Sequence, residues 1–220
     1  MTNFYGKTLK WIGFAILILL STQAFAQNQN RTLNLYNVNT KENLSIVYKR
    51  NGAFVPEALK KLDWFLRDWR LNTPKKMDRR LYDAVWEIYQ RSGAKAPIHV
   101  HSGYRSPKTN SMLRQRTTGV AKNSQHMNGT ALDFHIPGVS TVTLRNIALK
   151  MQVGGIGHYP KSKMPFVHVD VASVRHWPPI PRDQLAKIFP DGNPVHVPSD
   201  GKPLKGFKEA LVIIEKKKKD

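Results

Sequence analysis

Two short stretches constrain this chain more than anything else in it: Ser124-Gln125-His126-Met127-Asn128-Gly129-Thr130-Ala131-Leu132-Asp133-Phe134-His135 and Phe166-Val167-His168-Val169-Asp170. The second alternates along its length, so it reads as a strand on which Phe166, His168 and Asp170 share one face. By the same rule Ala131, Asp133 and His135 share a face. Gly129 and Ala131 leave room close to the backbone. Two strands that each offer a His and an Asp at i, i+2 bring together the nitrogen and oxygen donors of a zinc site. Such a site, when catalytic, keeps three protein ligands and a fourth position for water, whose pKa falls toward neutrality. His126, Asp133 and His168 supply that set, with His135 and Asp170 in reserve. His99 and His101 also alternate on a strand. They read as ordinary core or rim histidines, the alternative being partners that orient a ligand.

The absence of cysteine fits this donor set, because any zinc here must be held by His and carboxylate alone. Lys7 and Lys10 precede an uncharged apolar run, Trp11 to Leu20, and Ala24-Phe25-Ala26 follows as a cleavage site. Residues 1–26 therefore read as a signal peptide, with the mature chain starting at Gln27. The run is short for an uncleaved anchor, and no Cys follows it to carry a lipid. With 220 residues and 40% hydrophobic content, the remainder is a globular chain. The net charge of +20 would suggest nucleic acid in a cytosolic protein. Export makes an anionic envelope polymer or membrane surface the better partner and argues against nucleic acid; a plainly solvated basic face is the bland alternative.

Along the chain, Leu33, Leu35 and Tyr36 and then Leu44, Ile46 and Tyr48 predict a hairpin. Val55 to Trp69 has helical spacing, with Leu59, Leu62, Phe65, Leu66 and Trp69 inward. Trp64, Trp69 and Trp86 read as core or groove lining. Asp78 caps a second predicted helix that ends at Ser92-Gly93. Ile98 to Ser102 reads as a strand, Pro107 opens a helix to about Arg116, and Ser140 or Thr141 caps another to Met151. Gly154-Gly155-Ile156-Gly157 lacks the Lys-Ser/Thr of a phosphate loop and reads as a strand edge with close backbone approach. From Pro178 the prolines crowd, predicting an extension that wraps the core or is partly mobile, with one more element at Leu211 to Ile214. Lys216 to Lys219 is a basic run of the kind that is usually just solvated.

The combination Ser102-Gly103-Tyr104-Arg105-Ser106, then Ser124-x-His126-x-x-Gly129-x-Ala131-x-Asp133, then His168 on a strand resembles the zinc D-Ala-D-Ala peptidases, whose core the hedgehog signalling domain shares. Arg31-Thr32-Leu33, Leu66-Arg67-Asp68-Trp69-Arg70, Gly154-Gly155-Ile156-Gly157-x-Tyr159-Pro160 and Arg175-x-Trp177 are similar to the murein endopeptidase K group in particular. The resemblance implies an α+β fold: a small antiparallel sheet carrying the site, with helices on the other face. It covers about Arg31 to Trp177 and so implies a zinc domain within residues 27–177, while composition alone marks the Pro-rich and Lys-rich extension over 178–220. It implies that His126, Asp133 and His168 bind zinc, and that Arg105 holds a substrate carboxylate or carbonyl, which its guanidinium fork suits better than a lysine would. The activity implied is periplasmic, zinc-dependent cleavage of peptide cross-links in peptidoglycan. The alternatives are a carboxypeptidase acting on stem peptides and a wall-binding module with a structural zinc. Many carboxypeptidases of this class have an acidic residue where this chain has Pro165, so the general base falls to Asp170 or, second, to His158; the alternative for Asp170 is that it orients a ligand.

Overall fold

The computed structural model describes residues 30–217. The expected leader over residues 1–26 lies outside the described residues. No helix among them is long and apolar enough to cross a membrane.

The predicted hairpin forms from β1 (Arg31–Asn37) and β2 (Asn43–Arg50), and β3 (Ala53–Phe54) folds back on β2. Helices α1 (Pro56–Phe65) and α2 (Arg79–Ser92) follow. Asp78 caps α2 as expected, its side chain accepting from the Arg80 N–H, and Gly93 closes the helix with a left-handed φ of 66°. Next come β4 (Ile98–Ser102), α3 (Pro107–Arg116), the single turn α4 (Gln125–Asn128) and β5 (Ala131–His135). Helix α5 (Thr141–Met151), capped by Ser140, leads to β6 (Gly155–Tyr159), β7 (Phe166–Asp170) and β8 (Arg175–Trp177). Helices α6 (Arg182–Ile188) and α7 (Phe207–Lys217) complete the described chain.

The architecture is α+β, but the sheet is neither small nor purely antiparallel. It has eight strands in the order β3-β2-β1-β4-β5-β7-β6-β8. Strands β1 and β4 pair in parallel, as do β6 and β8. The first parallel pair arises because α1 and α2 carry the chain back before β4 enters, a crossover that a hairpin cannot make. The second arises because β8 leaves β7 by a tight turn and pairs with β6 instead. Strand β6 is therefore interior, not the edge expected from its glycines.

The expected helix from Val55 to Trp69 stops at Phe65. Asp68 explains the stop. Its buried carboxylate accepts from the Ser106 N–H at 3.0 Å and the Arg70 N–H at 3.1 Å, which bends the chain out of the helix. Trp64 is half-exposed with the Arg67 guanidinium stacked on it at 4.5 Å, so it is not core. The Pro-rich extension lies against the body: Ile180, Leu185 and Ile188 join the core, and Leu211 to Ile214 fall within α7.

Strand alternation divides the sheet into two faces. Val100, Phe134, Val167 and His158 form one cross-strand row, and Leu132, Val169 and Ile156 another. These face α2 and α5, which pack on each other and on the sheet. Asp133, His168 and Gly157 form the intervening row and face the other way. Phe134 is 0% exposed at the centre of the core row. Replacing it with Ala should cost about 3–5 kcal/mol, read as a lower urea midpoint with an unchanged slope.

Candidate metal centre

Three side chains converge on the open face of the sheet. Asp133 and His168 are brought together by the β5–β7 register, where they are direct partners. His126 arrives from α4, whose N-terminus is capped by Ser124 and whose end reverses through Gly129 at a φ of 74°. The segment is a single helical turn, and its caps fix where the imidazole points.

His126 Nε2 lies 3.2 Å from Asp133 Oδ2 and 3.2 Å from His168 Nδ1, and His168 Nδ1 lies 2.8 Å from Asp133 Oδ1. A tetrahedral ion with bonds of ~2.0–2.1 Å spaces its ligands by about 3.3 Å, so the three atoms are close to coordination spacing already. Each imidazole also has its other nitrogen committed. His126 Nδ1 donates to the Gly103 carbonyl at 2.7 Å, and His168 Nε2 donates to Asp170 Oδ2 at 3.1 Å. These bonds leave Nε2 of one and Nδ1 of the other facing the shared point, as ligand histidines require. The residues therefore fit a divalent ion. His126, Asp133 and His168 are also the one His/Cys/Asp/Glu group among the described residues whose donor atoms gather within 4.8 Å.

The reserve ligands stand elsewhere. His135 Nδ1 pairs with His101 Nε2 at 2.6 Å, beside the site but outside the trio. His99 faces His135 across the strands at the rim. Asp170 is fully buried, and its oxygens accept from the Gly155 and Ala172 N–H groups at 3.0 Å, from Arg175 and from His168. A carboxylate so occupied has no lone pair for a proton from water. It orients His168 instead, which corrects the general-base assignment. His158 is corrected too. It lies on the helix face with Val167, its Nε2 3.0 Å from Thr141 Oγ1, away from the trio.

The trio opens into a cleft of about 540 Å³ lined by Arg105, Tyr159, Phe166 and Trp177, among others. Arg105 is mostly buried and poorly satisfied: it reaches Asp133 at 3.9 Å, Asn110 at 3.3 Å and Ser102 at 3.4 Å, and its Nε has no partner. Gly157 lets Trp177 lie flat across the sheet, since a Cβ there would come within 2.6 Å of the indole. Trp177 stands 5.0 Å from the His168 ring and donates its Nε1–H to Tyr159 Oη at 2.7 Å. The sequence reading assigned Tyr159 and Trp177 no role. Pro160 and Pro165 bound the short β6–β7 connection, which sets Tyr159 opposite Phe166, and that pairing was the available signal.

The sequence profile of the family Peptidase_M15_2, described as peptidoglycan L,D-endopeptidase MepK, matches residues 25–177. The chain belongs to this family. It is 39% identical over 166 residues to the peptidoglycan L,D-endopeptidase MepK of Escherichia coli (strain K12), covering 76% of this chain and 90% of that protein. The protein of the same name from Shigella flexneri matches with the same identity and coverage. The probable peptidoglycan L,D-endopeptidase MepK of Haemophilus influenzae is 41% identical over 164 residues, covering 74% of this chain and 84% of its own length.

The electrostatics of the metal-free trio set a testable pH dependence. Burial pulls the pKa of His126 below the usual imidazole value. Burial also works to raise Asp133, but the charge and hydrogen bonds of His126 and His168 hold it far below the usual carboxylate range. Burial pulls His168 down, yet hydrogen bonds and charge from Asp133 and Asp170 outweigh it and push its pKa up to about 9. The folded metal-free chain therefore keeps a proton that the unfolded chain loses near pH ~6.5. The stabilisation is complete below that pH and is lost as pH rises through about 9. Urea unfolding in excess EDTA should accordingly give a stability that declines across this window, by up to ~1.4 kcal/mol per pH unit. His168→Asn should flatten the decline.

Proposed function

We propose that the chain is an exported, zinc-dependent murein endopeptidase that cuts L,D peptide cross-links of peptidoglycan in the periplasm. The observation that carries the reading is a His-Asp-His donor set, with both imidazole tautomers fixed, at the floor of an open cleft. The relatives' names supply the bond type, and the leader-like residues 1–26 supply the export. His126, Asp133 and His168 hold the zinc. When bound, zinc polarises the scissile carbonyl and lowers the pKa of a water molecule. A purely structural zinc would be enclosed by protein ligands; these three line a cleft instead.

The rest of the chemistry belongs to side chains of the cleft. Arg105 grips a carboxylate of the substrate. The unpartnered Nε and the long contacts to Asn110 and Ser102 support this, because a buried guanidinium normally fills its donor sites. The aromatic wall of Tyr159, Phe166 and Trp177 excludes water from one side of the peptide. The excess of basic residues favours approach to a polymer rich in carboxylates. Residues 27–177 are the working domain, and the described part of the extension, residues 178–217, packs beside it.

Purified protein incubated with cross-linked muropeptides should release uncross-linked fragments whose masses identify the bond cut. EDTA should abolish release and added zinc should restore it. His126→Ala should stay folded and inactive; a variant that unfolds would favour the structural-zinc reading. Arg105→Lys keeps the charge but loses the fork. At about 1.5–3 kcal/mol for a hydrogen bond to a charged group, it should lower kcat/KM roughly 10- to 100-fold.

A further inference from the structure

We propose that Tyr159 is the hydrogen-bond donor for the scissile carbonyl oxygen, and that Trp177 is the positioning residue that aims it. This rests on the endopeptidase reading above and assigns a residue to a part of the reaction that the metal ligands leave open.

Water attack on the carbonyl carbon forms a C–O bond and moves the carbonyl π pair onto oxygen. As that pair returns to re-form the carbonyl, the C–N bond breaks, and the departing amine takes up the proton that the attacking water gave up. Charge develops on the carbonyl oxygen, and a donor fixed in advance at that place stabilises the transition state more than the ground state.

Tyr159 is fixed in this way. Its ring stacks on Phe166, with centroids 4.6 Å apart and planes at 14°. Its oxygen accepts the Trp177 indole N–H at 2.7 Å. The indole in turn lies where Gly157 has no Cβ. The acceptor side of the phenol is therefore taken up by protein. Its own O–H has no protein acceptor among the described residues, and the side chain lines the cleft with His126, Asp133 and His168. A phenol that already accepts an indole N–H has only its proton left to offer. Burial raises its pKa, so the hydroxyl keeps that proton through neutral and mildly alkaline solution.

Arg105, whose Nε is also unmet, is the donor assigned above to a substrate carboxylate. Arg105 faces Asp133, Asn110 and Ser102. Arg175 is committed to Asp170, with Nη2 2.6 Å from Oδ2. Tyr159 also does not act as a base: it would have to give up a proton that burial holds on, and it makes no hydrogen bond to a cation that would stabilise a phenolate.

The test is Tyr159→Phe in the zinc-loaded full chain, assayed on cross-linked muropeptides beside the unaltered protein. Loss of one donor of this kind is expected to lower kcat by roughly 10²- to 10³-fold with KM little changed. A phosphinate analogue of the cross-link, which mimics the tetrahedral oxygen, should bind more weakly by a similar factor. Zinc content and melting temperature should not change. Trp177→Phe, which frees the phenol but keeps it, should lower kcat less, again without a change in KM. An unchanged kcat in Tyr159→Phe would overturn the proposal, as would a rise in KM alone or a loss of zinc equal to the loss of rate. Failure of the unaltered protein to cleave any muropeptide would instead remove the endopeptidase reading itself.

Discussion

The hydrogen bond between Asp170 and His168 is the interaction on which the site depends. A carboxylate at 0% exposure is costly unless every lone pair is met. Here two backbone N–H groups, the Arg175 guanidinium and the His168 imidazole meet them. Burial works to raise the pKa of Asp170, and these donors hold it well below the usual range. The anion then dictates which nitrogen of His168 carries a proton, and so which one is free to bind an ion. The glycines of β6 follow from the same requirement. A Cβ at Gly155 would collide with the Asp170 carboxylate and Arg175, and one at Gly154 with the Asp170 backbone. The Gly154-Gly155-Ile156-Gly157 run is a cavity in the sheet surface made to fit a carboxylate, a guanidinium and an indole.

The period-two alternation of β7 does two jobs with one strand. Val167 and Val169 go to the core, and His168 and Asp170 go to the site. A register slip of one residue would exchange the two sets, burying an imidazole and a carboxylate against α2 and α5. The packing of Val167, Val169 and Phe134 in the core thus fixes the angular position of the His168 imidazole and the Asp133 carboxylate. Stability and function are not separable on this strand, although they belong to different side chains.

Much of this was legible in the sequence. The grouping of His126, Asp133 and His168, the strands that carry Asp133 and His168, the caps at Asp78 and Ser140 and the helix opened by Pro107 all follow from local pattern, and local pattern is what a sequence reports well. What it did not report was non-local. The parallel β1–β4 and β6–β8 pairs depend on where crossovers return the chain. The early end of α1 depends on Ser106, far along the sequence from Asp68. The role of His158 was misread because its place beside the glycine run says nothing of which face it takes; only the pairing with Val167 does. Asp170 was correctly placed on the face of His168, but the donors from Gly155 and Arg175, which hold its carboxylate as an anion, are not given by the alternation of β7.

The Pro-rich extension reaches the site through β8. This strand is only 3 residues long and lies at the end of the sheet, where exposed backbone groups would leave it loosely held. The extension meets it from outside. His196 is buried; its Nε2–H donates to the Leu149 carbonyl, and its Nδ1 lies 3.3 Å from Nδ1 of His176, the middle residue of β8. Val195 N–H donates to Gln152 just after α5. The two residues flanking His176 are Arg175, which neutralises Asp170, and Trp177, which holds Tyr159. A segment that looks compositionally like an appendage therefore braces the strand that holds both the carboxylate orienting His168 and the aromatic wall. Its prolines suit that task, because they fix an extended path over the surface at little further entropic cost on folding.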